Sequence, residues 1–269
     1  MSDFLQTMAV LSSERAAGVE PRFSSADFDR PVVPIKQQGF GLIAEIKDRS
    51  PAEGDLATHA SNRTQQARAY ASGGASAISV LTEPSRFAGA LEHLEEVVAA
   101  VPDTPVMRKD FLVDPAQVSE ARKFGASGVL LIATMLTDAT LREMLDRAWE
   151  HDLFVLLECF DEDDLERSSK LLDNPADSDR AQRGQLLFGV NTRNLRTLEV
   201  DSERLQRLVP ALPQATCVAE SGLRVAGDAA RVAGWGYRMA LVGTALMRSD
   251  DPEALVAAMV SAGNEGLSA

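Results

Sequence analysis

With 269 residues and 45% hydrophobic content, the chain is long enough to bury a full core, either as one α/β barrel of about 250 residues or as two smaller domains. Its net charge of −13 argues against binding nucleic acid or an anionic membrane through a general basic field, so any anionic ligand must be held locally. Only five of the 27 basic residues are lysine (Lys36, Lys47, Lys109, Lys123 and Lys170), which draws attention to lysines at apolar strand ends.

Residues 1–10 carry no basic region followed by a long apolar run. No later stretch approaches the roughly 18 apolar residues of a membrane span, so a cytoplasmic protein is expected. Phe4, Leu5, Met8, Ala9 and Leu11 recur at helical spacing and predict an N-terminal helix that caps the core. Pro21, Pro31 and Pro34 then mark an extended connection too short to be a domain of its own.

The apolar run 41–46 reads as a buried strand, and Glu45 and Lys47 share one of its faces because strand side chains alternate. Burying two charges together is costly unless they are paired or used, so this is expected to be a catalytic strand end. A Pro/Gly-marked loop, Ser50 to Gly54, comes after it. The spacing next predicts a helix over 63–72 closed by Gly73-Gly74, and a strand over 77–82. The beat repeats with a helix at 91–100, a strand at 105–109 and a helix to Phe124 opened by Asp114-Pro115. A strand at 128–133, a helix capped by Asp138 and running to His151, and a strand at 153–158 come next, with Asp161 to Asp164 opening the following helix. The polar stretch 173–185 is expected to be an expanded loop before a strand at 186–191. A helix at 202–209, a strand at 215–220, a helix at 224–233, a strand at 239–242 and a final helix after Asp251-Pro252 complete the series.

Eight strands too apolar for a one-faced antiparallel sheet, each followed by a helix, predict an α/β fold of parallel type. The expected architecture is a (β/α)8 TIM barrel with an N-terminal helical extension. It is one domain over 1–269, with the extension at 1–40 and the barrel at 41–269. An open doubly wound sheet is the alternative, weakened because the first strand-to-helix turn has no Gly-x-Gly-x-x-Gly fingerprint.

In such barrels chemistry lies at the carboxyl ends of the strands. Those ends here carry Glu45 and Lys47, Lys109, Glu158, Asn191, Glu220-Ser221-Gly222, and Gly243-Thr244. Two lysines and three carboxylates suit acid–base chemistry better than internal salt bridging, since buried pairs seldom stabilise a fold enough to explain so many. Glycines after the seventh and eighth strands let backbone N–H groups approach a phosphate. Cys159 and Cys217 form no Cys-x-x-Cys pattern and His59, His93 and His151 lack ligand spacing, so neither a disulfide nor a metal is expected.

The stretches 43–47 through Ser50-Pro51, 78–83, Arg108-Lys109-Asp110-Phe111, 191–195, Glu220-Ser221-Gly222 and Leu246-Met247-Arg248, all in one register, closely resemble the indole-3-glycerol-phosphate synthase family. The resemblance covers about residues 41–252. It implies a carbon–carbon lyase of tryptophan biosynthesis that needs no cofactor and takes a small phosphorylated substrate. It further implies a cytoplasmic monomer or weak homodimer without nucleic acid, membrane or metal.

By the family's motif, Lys109 matches the general acid, Glu158 the general base, and Lys47 a lysine near the substrate carboxylate that takes part in dehydration. Glu45 would hold Lys47, and Asn191 would hydrogen-bond the reacting end. Ser50, Gly222, Gly243 and Thr244 match phosphate-binding positions, with Ser221 beside them. Phe87 and Phe111 match the aromatic pocket, while Arg193 and Glu220 complete the substrate contacts. The chain departs from the pattern at Cys159-Phe160, at Thr192, in the stretch 59–62 and at Ala52-Glu53-Gly54, the last change removing a positive charge. A sugar-phosphate isomerase or a Schiff-base aldolase would use the same phosphate cup. A catalytically silent barrel would keep the fold alone.

Overall fold

In the computed structural model of the chain, eight apolar runs become parallel strands of one closed barrel. They are β1 Gly41–Ile46, β2 Ala77–Leu81, β3 Val106–Lys109, β4 Gly128–Ile132, β5 Phe154–Cys159, β6 Leu186–Asn191, β7 Cys217–Glu220 and β8 Met239–Val242. The structure describes residues 3–268 apart from 21, 22, 24–26, 37, 52, 53, 56–61, 194–200 and 202. The barrel closes where β1 runs parallel to β8, with Gly41 opposite Met239 and Ala44 opposite Val242. Helices cover the sheet from outside while side chains fill it from inside. A strand such as β5 is therefore buried at all six positions instead of alternating.

The described helices are α1 Asp3–Ala16, α2 Arg63–Ser72, α3 Pro84–Phe87, α4 Leu91–Ala100, α5 Pro115–Lys123, α6 Asp138–Glu150, α7 Glu162–Ser169, α8 Pro175–Gln182, α9 Arg204–Arg207, α10 Ala226–Gly234, α11 Thr244–Met247 and α12 Pro252–Leu267. Their starts obey local chemistry. Asp114 accepts the Ala116 N–H at 2.8 Å and Gln117 accepts the Asp114 N–H at 3.2 Å, which satisfies donors that the first turn of α5 leaves open.

Several boundaries differ from the sequence expectation. The stretch 173–185 is not a bare loop, because Asn174 caps α8 and Pro175 fills its first turn. Asp177 on α8 is buried against α6, where it accepts hydrogen bonds from Arg142 at 2.5 Å and from the Trp149 ring N–H at 3.2 Å. That attachment depends on α6, so the polar composition of the stretch hid it. Thr137, not Asp138, caps α6 by accepting the Thr140 N–H. The helix expected over 202–209 is only the short α9 followed by a turn at Val209–Ala211, because Pro210 supplies no N–H to continue it. Helix α3 has no counterpart in the sequence expectation. It forms because Glu83 accepts the Ser85 and Arg86 N–H groups ahead of it.

The expected N-terminal helix is present as α1, and it lies over the carboxyl end of the barrel. Leu5, Met8 and Ser12 are buried. Ser12 Oγ accepts a hydrogen bond from Gln117 Nε2 at 3.0 Å, and Arg15 pairs with Asp110 at 2.7 Å. Residues 52, 53 and 59–61 of the two departures after β1, and Asn194 and Leu195 of the motif after β6, lie outside the described residues. Arg49–Ser50 pairs antiparallel with Gly54–Asp55, so the expected loop begins as a small hairpin.

Candidate active site

A cavity of about 410 Å³ opens at the carboxyl ends of the strands. Every residue expected at the site lines it: Glu45, Lys47, Ser50, Phe87, Lys109, Phe111, Glu158, Asn191, Arg193, Glu220, Ser221, Gly222, Gly243 and Thr244. One side of the ring is built by β1 and β3. Lys47 Nζ stands 2.6 Å from Glu45 Oε1, and Lys109 Nζ stands 3.2 Å from Glu45 Oε2, so one carboxylate holds both lysines. The carboxyl is 5% exposed, and its charge is viable there because two cations face it. Burial pushes the Glu45 pKa up, but Lys47 and then Lys109 outweigh it and bring it down to about 2. Burial pulls Lys109 down, yet Glu45, Glu158 and Glu220 together hold it above the ordinary lysine range, so it stays an ammonium.

Alternation along β3 explains why Lys109 is available. Its neighbour Arg108 turns to the helix side, where it pairs with Glu120 of α5 at 2.8 Å, and it also pairs with Asp110 at 3.1 Å. Tyr70 braces the end of β1 from α2, its hydroxyl donating to the Glu45 carbonyl at 3.4 Å.

The other side is built by β5, β6 and β7. Asn191 Nδ2 donates to Glu158 Oε1 at 3.0 Å, while Asn191 Oδ1 accepts from Ser221 Oγ at 2.9 Å and from the Arg193 N–H at 2.9 Å. The amide is thereby fixed in one orientation and presents its N–H to the carboxylate. Glu158 lies in register with Gly189, and Asn191 with Glu220. A methyl group on Gly189 would land on Oε1 of Glu220, so that glycine makes the room the third carboxyl occupies. Glu220 Oε1 is buried with no hydrogen-bond partner among the described residues. Burial, then the Glu158 carboxylate, pushes the Glu220 pKa well above the usual carboxylate range against the pull of Lys109, which favours the protonated acid.

At the end of the cavity beside β7 and β8, Ser221 and Gly222 adopt left-handed backbone angles, with φ of 68° and 84°. Such a conformation strains Ser221 but not glycine, and strain of this kind gathers where a backbone must meet a ligand. Gly243 has no room for a side chain either, since a Cβ would land on Oε1 of Glu45. At the opposite end the wall is apolar: Phe87 and Phe111 stand with ring centroids 6.1 Å apart, and Leu81, Leu130 and Ile132 line the cavity beside them.

Phe4, which sequence reasoning did not place at the site, completes this wall from α1. Its ring meets Phe111 edge-on at 5.8 Å. Only the Phe4, Leu5, Met8 helical pattern hinted at an apolar face, and nothing local told where that face docks. Two of the departures from the family pattern, Cys159 and Thr192, do not line the cavity. Cys159 Sγ points to Ser168 of α7 at 3.4 Å, and burial pushes its thiol pKa up. Thr192 Oγ1 donates to the Glu220 carbonyl at 3.2 Å and so ties the ends of β6 and β7. Both cysteines are buried thiols. Among the described residues, no group of three or more His, Cys, Asp or Glu is arranged to hold a metal ion.

A parallel barrel that faces a proton-holding wall with a cation-holding wall, between an aromatic end and a glycine-turned end, is an acid–base enzyme of the (β/α)8 class. The family model of indole-3-glycerol phosphate synthase matches residues 13–259, and the chain belongs to that family. The match begins inside α1, so it reaches further toward the amino terminus than the motifs do. The chain is 46% identical to the indole-3-glycerol phosphate synthase of a Nocardioides species over 242 residues, which is 88% of each sequence. It is 44% identical to that of Mycobacterium avium, over 85% of this chain and 79% of the relative. Among solved structures, 3-hexulose-6-phosphate synthase from Salmonella typhimurium superposes with a TM-score of 0.64 at 14% identity, covering 84% of this chain and 99% of its own, and shares the fold alone.

Proposed function

We propose that the two walls divide one ring closure between them. The substrate, 1-(2-carboxyphenylamino)-1-deoxyribulose 5-phosphate, places its phosphate at Ser50, Gly222, Gly243 and Thr244 and its anthranilate ring among Phe87, Phe111 and Phe4. Lys109, kept as an ammonium by the surrounding carboxylates, protonates the ribulose carbonyl oxygen while the ring carbon that bears the carboxylate attacks the carbonyl carbon. The new carbon–carbon bond forms and carbon dioxide leaves. Loss of carbon dioxide restores the six-membered aromatic ring. Lys47, beside the substrate carboxylate, then assists departure of the hydroxyl as water, and Glu158 removes the adjacent carbon-bound proton whose loss completes the aromatic five-membered ring. The product is indole-3-glycerol phosphate, an intermediate of tryptophan biosynthesis. Glu45 sets the spacing of the two ammonium groups, Asn191 orients Glu158, and Arg193, Glu220 and Ser221 complete the substrate contacts.

The observation that carries this reading is Glu45 clamped between two lysines across the cavity from the Asn191-bound Glu158. A Schiff-base aldolase would need an unprotonated strand lysine, and the charges around Lys109 oppose one. The same reading makes residues 1–269 one barrel domain with a capping extension at 1–40. It works in the cytoplasm as a monomer or weak homodimer, free of nucleic acid, membrane and cofactor. Among the described residues, no helix is long and apolar enough to cross a membrane. Incubating the purified chain with the anthranilate-linked ribulose phosphate should produce indole fluorescence. No product, with Lys109→Ala equally inactive, would favour the catalytically silent barrel instead.

A further inference from the structure

Lys47 lies one residue beyond the last ladder position of β1, so the sheet does not fix its backbone. A clamp on the next residue does. Asp48 Oδ2 accepts a hydrogen bond from Arg63 Nη2 at 2.9 Å, and Arg63 is the first residue of α2, 15 positions further along the chain. The same Nη2 stands 2.8 Å from His93 Nε2 on α4, while Nη1 donates to Glu96 Oε2 at 3.2 Å. The two hydrogens of Nη2 are thus divided between Asp48 and His93, and three partners set the guanidinium plane.

His93 can accept at Nε2 only as a neutral ring with its proton on Nδ1, which faces Asp48 Oδ2 at 3.9 Å. Burial, then Arg63, holds the His93 pKa below its ordinary value, opposed by Asp48, Glu96 and Glu92. Asp48 is partly covered, at 21% exposure, so its pair with Arg63 is screened less than one on an open surface. Neither Asp48, Arg63, His93 nor Glu96 lines the active-site cavity. The cluster therefore touches the chemistry only through the backbone that leads from Asp48 to Lys47.

We propose that Asp48 is a positioning residue for the ring-closing reaction: clamped by Arg63 with His93 and Glu96, it fixes the direction in which the chain leaves β1 and so holds the Lys47 ammonium at Glu45. This rests on the role given to Lys47 above. The pairing of Lys47 with Glu45 at 2.6 Å requires the backbone at position 47 to keep its place. A reacting group displaced by about 1 Å can lose up to about 100-fold in rate.

The test is steady-state kinetics on the full chain with Asp48→Asn, Asp48→Glu, Arg63→Gln and the double variant Asp48→Asn/Arg63→Gln. Asp48→Asn should lower kcat about tenfold at nearly unchanged KM, the signature of a misplaced group rather than a lost substrate contact. Asp48→Glu should recover most of the loss, and the double variant should be no slower than the slower single one, because both changes break the same link. Asp48→Asn turnover within about twofold of the parent, a fall in Tm with unchanged kcat, or multiplied losses in the double variant would each overturn the proposal. If Asp48→Asn does not fold, Arg63→Gln and Arg63→Lys carry the same comparison. A Lys47→Ala control separates the two claims. Parent-like activity there removes the role of Lys47 itself, whereas an inactive Lys47→Ala with an unaffected Asp48→Asn removes only the clamp.

Discussion

The wall built by β1 and β3 and the wall built by β5, β6 and β7 are both buried and both acidic, yet they solve the cost of burial in opposite ways. On the first, Glu45 keeps its charge because two lysines stand within 2.6 and 3.2 Å of it. On the second, Glu158 and Glu220 face each other with an amide bound to Glu158, and burial with the neighbouring carboxylate outweighs the pull of Lys109, so Glu220 is pushed toward its neutral form. One wall holds positive charge beside a carboxylate, and the other favours the protonated acid at Glu220. Placing like charges together and placing opposite charges together are two ways to separate acid from base within a single cavity.

The sharpest way to break this contrast is to remove its poles. Lys109→Ala and Glu158→Gln should each lower kcat by about two orders of magnitude or more, the usual scale for a lost general acid or base, in steady-state assays on folded protein. Parent-like turnover in both would sink the division of labour.

Stability against pH reads the same contrast without substrate. Glu45 has a folded pKa of about 2 against an ordinary 4.5, so its contribution is present above 4.5 and is lost as the pH falls through that window. At about 1.4 kcal/mol per pKa unit the span corresponds to roughly 3 kcal/mol, so Glu45→Gln should lower stability markedly at neutral pH and little near pH 2. Glu220 has the reverse sign. Its raised folded pKa favours the folded state below the ordinary carboxylate range and costs stability as the pH rises through the folded value. Denaturant unfolding of Glu220→Gln at neutral pH should show equal or greater stability than the parent, and a loss as large as that of Glu45→Gln would refute the contrast.

A smaller effect is expected from the glycines that make room on each wall. Gly189→Ala drives a methyl group onto Glu220, and Gly243→Ala drives one onto Glu45. Each should cut kcat by about tenfold through displacement of a carboxyl, which kinetics on the two variants would measure. The smallest effect belongs to Phe4→Ala, which opens the aromatic end without touching either wall. KM should rise about threefold, a part of the value of a half-buried aromatic ring, with kcat nearly unchanged.

Much of this site was legible because strand ends are local features. The alternation that puts Glu45 and Lys47 on one face needs only the residues between them, and Lys109, Glu158, Asn191 and Glu220 each close an apolar run of their own. The glycine turns were legible in the same way, after the seventh and eighth strands, and the family resemblance then assigned roles that alternation could not and named Phe87 and Phe111. The helix α8 escaped although its signal, Asn174-Pro175, was in plain view. Its burial depends on Arg142 and Trp149, which lie 35 and 28 residues before Asp177.

The sequence by itself determined the eight-beat order of apolar runs, the polar strand ends and the acid–base character of the site, because periodicity and end residues are written within a few positions of one another. Tertiary structure decided which charges meet. Only the packed tertiary structure brings Lys109 to Glu45, lays Glu220 over Gly189, docks Phe4 on Phe111 and ties Asp48 to Arg63. Each of these contacts forms between segments whose separate patterns say nothing of one another, and their energies exist only once water has been excluded between them.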